Sequence, residues 1–222
     1  MVCPSHWHID IIDLQSNTKR MVDIKKNKEK VLSLLRETGR EGVEDLIQEL
    51  EKMGYFTAPA SAVYHLNCEG GLVQHSLNTY NAAIGVWENM KSYCPHIAKE
   101  VSKDNIIIAA LLHAICQCDV YKRKREPSGR VWKLGKEEPA PYSVSNDAFP
   151  MGHGEKSVIL ALCSGITLCD TEMVAIRWHM GPWGLNMDNN EDRQSYKAAQ
   201  DRYALTTIIQ VADTLAARIM ER

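Results

Sequence analysis

Residues 106–112 read Ile-Ile-Ile-Ala-Ala-Leu-Leu and offer no polar stripe at a helical period. A helix of that composition has no face to give to water, so other elements must cover it on nearly every side. Chains that fold around one such segment need several further amphipathic helices to enclose it. The run ends at His113. A histidine in that place is ordinarily a core residue with one satisfied hydrogen bond, and the rest of the chain decides whether this one is more.

The enclosing helices are legible as stripes. Val31, Leu34 and Leu35 form one; Val43, Leu46, Ile47 and Leu50 form a second, which Gly54 terminates. Residues 57–71 read as a loop, broken by Pro59 and the Gly70-Gly71 pair. A third helix starts near Leu72 with Leu77, Tyr80, Ile84 and Trp87 on one side. Two more are expected over GHGEKSVILALC and DTEMVAIRWHM, the latter capped by Asp170 or Thr171. Residues 181–201 read as a polar loop. The last helix, about 202–220, turns Leu205, Ile208, Ile209, Ala212, Leu215 and Ile219 inward. The fold class is therefore all-α.

Two stretches depart from helical period. Residues 1–27 read as an N-terminal arm, in which Ile9 and Ile11 could form a short strand and His6 and His8 are no more than adventitious metal ligands. Residues 119–152 read as a β-hairpin insertion: two short strands around the Pro-Ser-Gly turn in VYKRKREPSGRVWKLG, with PYSVSND as a third. The helical domain is 28–222.

Composition excludes more than it selects. With 222 residues, 45% of them hydrophobic, the chain can bury one sizeable core, and one domain is the default. A formal net charge of -2 gives no global attraction for nucleic acid or an anionic membrane. No stretch reaches the roughly 18 apolar residues of a membrane span, and the N-terminus lacks the apolar core of a signal peptide. Seven cysteines show neither a disulfide framework nor paired CxxC zinc spacing, so reduced thiols and a cytoplasmic protein are expected.

Chemistry enters through four histidines at or near the ends of four helices: His75, His113, His153 and His179. Asp213 lies inside the apolar final helix, where a carboxylate is costly unless paired, hydrogen-bonded or bound to metal. Together they suggest a polar cluster in a helical core, and imidazole with carboxylate is the ligand set of a hydrolytic divalent metal. No Ser–His–Asp order and no Gly-rich phosphate loop competes as a mechanism.

The motifs GGLVQHS (70–76), LLHAICQ (111–117), GHGEKSV (152–158), IRWHMG (176–181) and VADTLA (211–216), in that order, resemble the HD-domain metal-dependent phosphohydrolases. The likeness covers roughly residues 40–220 and is greatest to small bacterial and prophage-associated members. It implies a helical bundle carrying one or two divalent ions (Mn, Fe, Ni, Co or Mg). By the resemblance, His75, His113 and Asp213 hold the first ion, while His153 and His179 hold a second. The family's paired aspartate falls at position 114, where this chain has Ala114, and many relatives have lysine in place of Gln117. A methyl group neither binds nor bridges metal. Ala114 is therefore the mark of a natural pseudoenzyme or of an enzyme recently or deliberately inactivated. The intact remaining ligands favour the second.

Around that site, Lys156 lies three residues after His153 and could meet a substrate phosphate; the alternative is a solvated lysine. Cys116 reads as packing. Lys122, Arg123, Lys124, Arg125, Arg130 and Lys133 make the insertion basic, diluted by Glu126, Glu137 and Glu138. Tyr121, Trp132, Tyr142 and Trp183 are candidates for stacking on a base, Tyr121, Lys122, Lys156 and Trp183 being the substrate contacts preferred. The resulting expectation is a phosphohydrolase of a nucleotide or short oligonucleotide, impaired by Ala114. A catalytically dead nucleotide sensor and a purely structural helical module are the alternatives.

Overall fold

A computed structural model describes residues 22–125, 130–133, 136–145, 149–186 and 188–221, with the backbone alone at 130–133 and 136–139. The arm expected over 1–27 lies outside the described residues as far as position 21. Its end is helical: α1 spans Ile24–Glu37, opened by Asp23, whose carboxylate accepts from the Lys26 N–H. There follow α2 (Val43–Lys52), α3 (Gly71–Tyr93), a single turn α4 (Ile97–Glu100) and α5 (Lys103–Leu112). After the strands come α6 (His153–Cys163), α7 (Asp170–Trp178), α8 (Asn190–Arg202) and α9 (Ala204–Leu215). The fold is all-α with a small β element.

The apolar run is the centre of the bundle. Every residue of Ile106–Leu112 is fully buried, with α3, α7, α9 and α1 packed around α5. Ser102 caps α5 in a reciprocal box with Asn105. At its other end, the Tyr55 hydroxyl donates to the Leu111 carbonyl at 3.0 Å, one of the acceptors that a helix end leaves without an intrahelical partner. The stripes on α1 and α2 face the core as their spacing requires.

α5 and α7 lie side by side and are joined at both ends. At their N-termini, buried Glu172 accepts from Asn105 Nδ2 at 2.9 Å, from both Arg40 guanidinium nitrogens at 2.7 and 2.8 Å, and from the Cys169 N–H at 3.0 Å. That last bond makes Cys169, not Asp170 or Thr171, the N-cap of α7, because the Glu172 carboxylate reaches back to it. The two helices run 10 and 9 residues from this anchor, so their C-terminal ends arrive at the same level.

Several elements differ from expectation. Residues 190–202 are helical rather than loop; α8 buries only Tyr196 and Ala199, against Trp178, so it shows little apolar periodicity. The strands pair differently: β1 (Tyr121–Arg123) is antiparallel to β4 (Tyr142–Val144), and β2 (Arg130–Lys133) to β3 (Lys136–Pro139). Two residues separate β2 from β3 in sequence, and the Pro-Ser-Gly residues lie outside the described ones. The side chains of Arg130, Trp132 and Lys133, and those of Glu126, Glu137 and Glu138, also lie outside. Ile219 is exposed, because Ala216–Met220 continues α9 as a π-helix and rotates its face. Among the described residues no helix is long and apolar enough to cross a membrane.

Removing the Glu172 carboxylate leaves the Arg40 guanidinium and the Asn105 amide without their acceptor. Glu172→Ala is therefore expected to cost about 3 kcal/mol, measured by urea denaturation, with Glu172→Gln less damaging because its amide oxygen still accepts.

Candidate metal centre

The expected histidines converge although they come from separate elements. Imidazole rings form a continuous row in which His65, His75, His113, His179 and His153 follow one another at centroid distances of 5.0, 5.1, 4.8 and 5.1 Å. His75 projects from the first turns of α3, His113 and His179 follow the last residues of α5 and α7, and His153 opens α6.

Two glycines of the motifs permit this approach. A Cβ on Gly71 would stand 2.0 Å from the Leu66 carbonyl oxygen, and one on Gly154 would stand 2.1 Å from that of Arg177. Gly154 thus lets α6 lie against α7, bringing His153 beside His179.

Local hydrogen bonds set the tautomers. His113 Nδ1 lies 2.8 Å from the Ala110 carbonyl and His179 Nδ1 lies 2.7 Å from that of Ile176. A carbonyl only accepts, so both Nδ1 atoms carry the proton and both Nε2 atoms keep a lone pair. His75 Nδ1 faces the Glu221 carboxylate at 3.0 and 3.1 Å, which imposes the same tautomer. His75 Nε2 then meets Asp213 Oδ1 at 3.1 Å and His113 Nε2 at 3.2 Å, with 3.9 Å from His113 Nε2 to Asp213. Three basic atoms from three helices face one another. Such a group is stable only around a proton or a metal ion, and His75, His113 and Asp213 together have the donor set and spacing to hold one.

Charge supports the same reading. Burial lowers the pKa of His75, but hydrogen bonds to Asp213 and Glu221 outweigh it and raise the value to about 9. Asp213 is pushed up by burial and, more strongly, held far below the carboxylate range by His75 and the neighbouring imidazoles. Burial pushes His113 down to about 4 and lowers His153 and His179 as well. At neutral pH two carboxylates therefore face one imidazolium, and a divalent ion in place of the proton would balance the pair.

The other expected residues are placed as follows. Ala114 is buried at the break between α5 and a 3-10 turn, Ile115–Asp119. Because α5 stops at Leu112, Gln117 is not one helical turn below His113; it is half-buried on that turn, its Oε1 without a hydrogen-bond partner among the described residues. Lys156 is neither solvated nor free: it is 3% exposed and its ammonium donates to Asp119 at 2.6 Å. Cys116 is more than packing, with its Sγ 3.1 Å from His153 Nδ1 and its thiol pushed by burial up to about 11. A cavity of about 380 Å³ opens between Cys116, His153, Lys156 and Phe149. A slightly larger one, about 420 Å³, lies by Arg36 and Arg40 and includes none of the histidines. Tyr121 is half-buried and Lys122 exposed on β1. Trp183, 86% exposed, stands outside the cluster.

Sequence reasoning missed His65 and Glu221. His65 sits in an irregular loop, where no period marks it. Glu221 lies one residue from the last position, past any stripe.

Comparison of the chain with protein-family models, with curated proteins and with solved structures finds no match.

Because a metal must displace the proton shared by His75 Nε2, binding is expected to strengthen with pH. Apparent affinity should rise roughly tenfold per unit from pH 6 to 8, without levelling off near 6.5 as an ordinary histidine would dictate. Chelator competition across that range measures it; a plateau above pH 6.5 contradicts the assignment.

Proposed function

We propose that this chain is built as a metal-dependent phosphohydrolase of the HD type, acting on a nucleotide or short oligonucleotide and impaired by Ala114. The observation that carries the reading is the meeting of His75 Nε2, His113 Nε2 and Asp213 Oδ1 within 4 Å from three helices. The arrangement of the five resembling motifs around that point supports it further. A divalent ion held there would polarise a phosphoryl oxygen and lower the pKa of bound water.

The chain's own residues suit that substrate. The cavity beside His153 is within the size range of small-ligand clefts, and Lys156, whose ammonium donates to Asp119, lies on its wall. A substrate phosphate would compete with Asp119 for the Lys156 ammonium. The rings of His153 and His179, kept neutral by burial, offer lone pairs that can accept a hydrogen bond from a substrate hydroxyl or a bound water. The basic strand β1 begins directly after the 3-10 turn that carries Asp119 and would meet a longer oligonucleotide.

Ala114 favours a second reading, in which the chain binds nucleotide and signals without turnover. A single ion balances Asp213 and Glu221, and no carboxylate at 114 is present to bridge another.

Ala114→Asp separates the two. An aspartate there is buried, so the metal-free variant should be less stable than the parent, and metal should restore it by linkage. In the enzyme reading, metal content and phosphate release rise together, and His75→Ala or Asp213→Ala in that background abolishes both. Lys156→Gln should raise KM with little change in kcat, since a phosphate contact made equally in both states acts on binding. If Ala114→Asp/Gln117→Lys binds metal yet hydrolyses none of a broad nucleotide and oligonucleotide panel, the sensor reading replaces the enzyme.

A further inference from the structure

Asp213 and Glu221 touch opposite nitrogens of one imidazole, although eight residues separate them. On a regular α-helix eight residues advance about 12 Å, which would carry the second carboxylate away from the first. Here α9 ends just after Asp213, and Ala216–Met220 winds as a π-helix, its last bond running from the Glu221 N–H to the Ala216 carbonyl at 3.1 Å. The wider turn rotates the chain less per residue, which brings Glu221 round to the face that carries Asp213, against α3 and His75. Segments of this kind are recurrently found at functional sites.

Glu221 is built in rather than draped. Its side chain is 1% exposed. It takes His75 Nδ1 at 3.0 Å, and Asn78 Nδ2, one helical turn further along α3, donates to the same oxygen at 3.0 Å. His65 Nε2 stands 3.9 Å from the other oxygen, on the more open side. Neither a surface ion pair nor a frayed terminus explains a buried carboxylate with that many fixed contacts.

We propose that Glu221 is a positioning residue: a carboxylate clamp that fixes the tautomer and orientation of His75, so that ion retention at the metal centre depends on the C-terminal π-turn. The inference rests on the metal-centre reading above and extends it to an element outside the resembling motifs. Outer carboxylates on ligand histidines hold the ring in place and raise its basicity; removing one typically weakens metal binding about 10–100-fold.

The test uses the full chain with Ala114→Asp, alone and combined with Glu221→Gln or Glu221→Ala. Co2+ affinity is read from its visible absorption, and the His75 Nδ1–H is read by 1H–15N NMR on the Zn2+-loaded protein. The clamp predicts a hydrogen-bonded, exchange-protected Nδ1–H that survives in Glu221→Gln and is lost in Glu221→Ala. Co2+ affinity should fall about 10–100-fold in Glu221→Ala and by less in Glu221→Gln, with helical circular dichroism unchanged. Equal affinity in all three proteins, with His75→Ala abolishing binding, overturns the clamp and leaves the metal centre standing. Failure of the Ala114→Asp chain itself to bind Co2+ overturns the metal centre and the clamp with it. A second Co2+ that disappears in His65→Ala makes Glu221 a direct ligand and also overturns the positioning role. If Glu221→Ala loses its helical signal, Glu221→Gln alone decides through the Nδ1–H resonance, whose loss there counts against the clamp.

Discussion

The site depends on the parallel pairing of α5 and α7. Their N-terminal ends share one carboxylate, Glu172, and their lengths match to within a residue. Two consequences follow from that geometry alone. His113 and His179 emerge at one level with ring centroids 4.8 Å apart, and each ring folds back on its own last turn to bond a carbonyl left open by the helix end. The histidine that ends α5 leaves its Nδ1 satisfied locally and directs only Nε2 into the cluster.

Buried imidazoles are usually neutral, and burial drives His113, His153 and His179 that way. His75 is the exception because it stands between Asp213 and Glu221. Two carboxylates in a nearly dry setting require positive charge, and a protonated ring and a divalent cation are the alternatives the geometry allows. This is also why position 114 matters. A third carboxylate beside His113 would call for more positive charge than one divalent ion could provide, whereas the buried Ala114 adds none.

Much of the architecture was legible in the residues because burial imposes periodicity. The stripes on α1 and α2, and the unbroken apolar run of α5, face the core as read. Legibility failed where burial is slight. α8 inserts only Tyr196 and Ala199, so its thirteen residues read as polar loop. It also failed where the backbone changes register: the π-turn after Leu215 exposes Ile219, and the stop after Leu112 puts Gln117 on a 3-10 turn.

Residue identity alone determined that this chain forms a helical core around Ile106–Leu112 and that imidazoles and one acid occupy helix ends and an apolar stripe. Those are properties of composition and period, which act over a few residues. Tertiary structure alone decided that the rings make one row, that Lys156 is held by Asp119, and that His65 and Glu221 join the site. The reason is physical: proximity across 146 positions, as between His75 and Glu221, is set by how helices pack and terminate, and no local pattern records it.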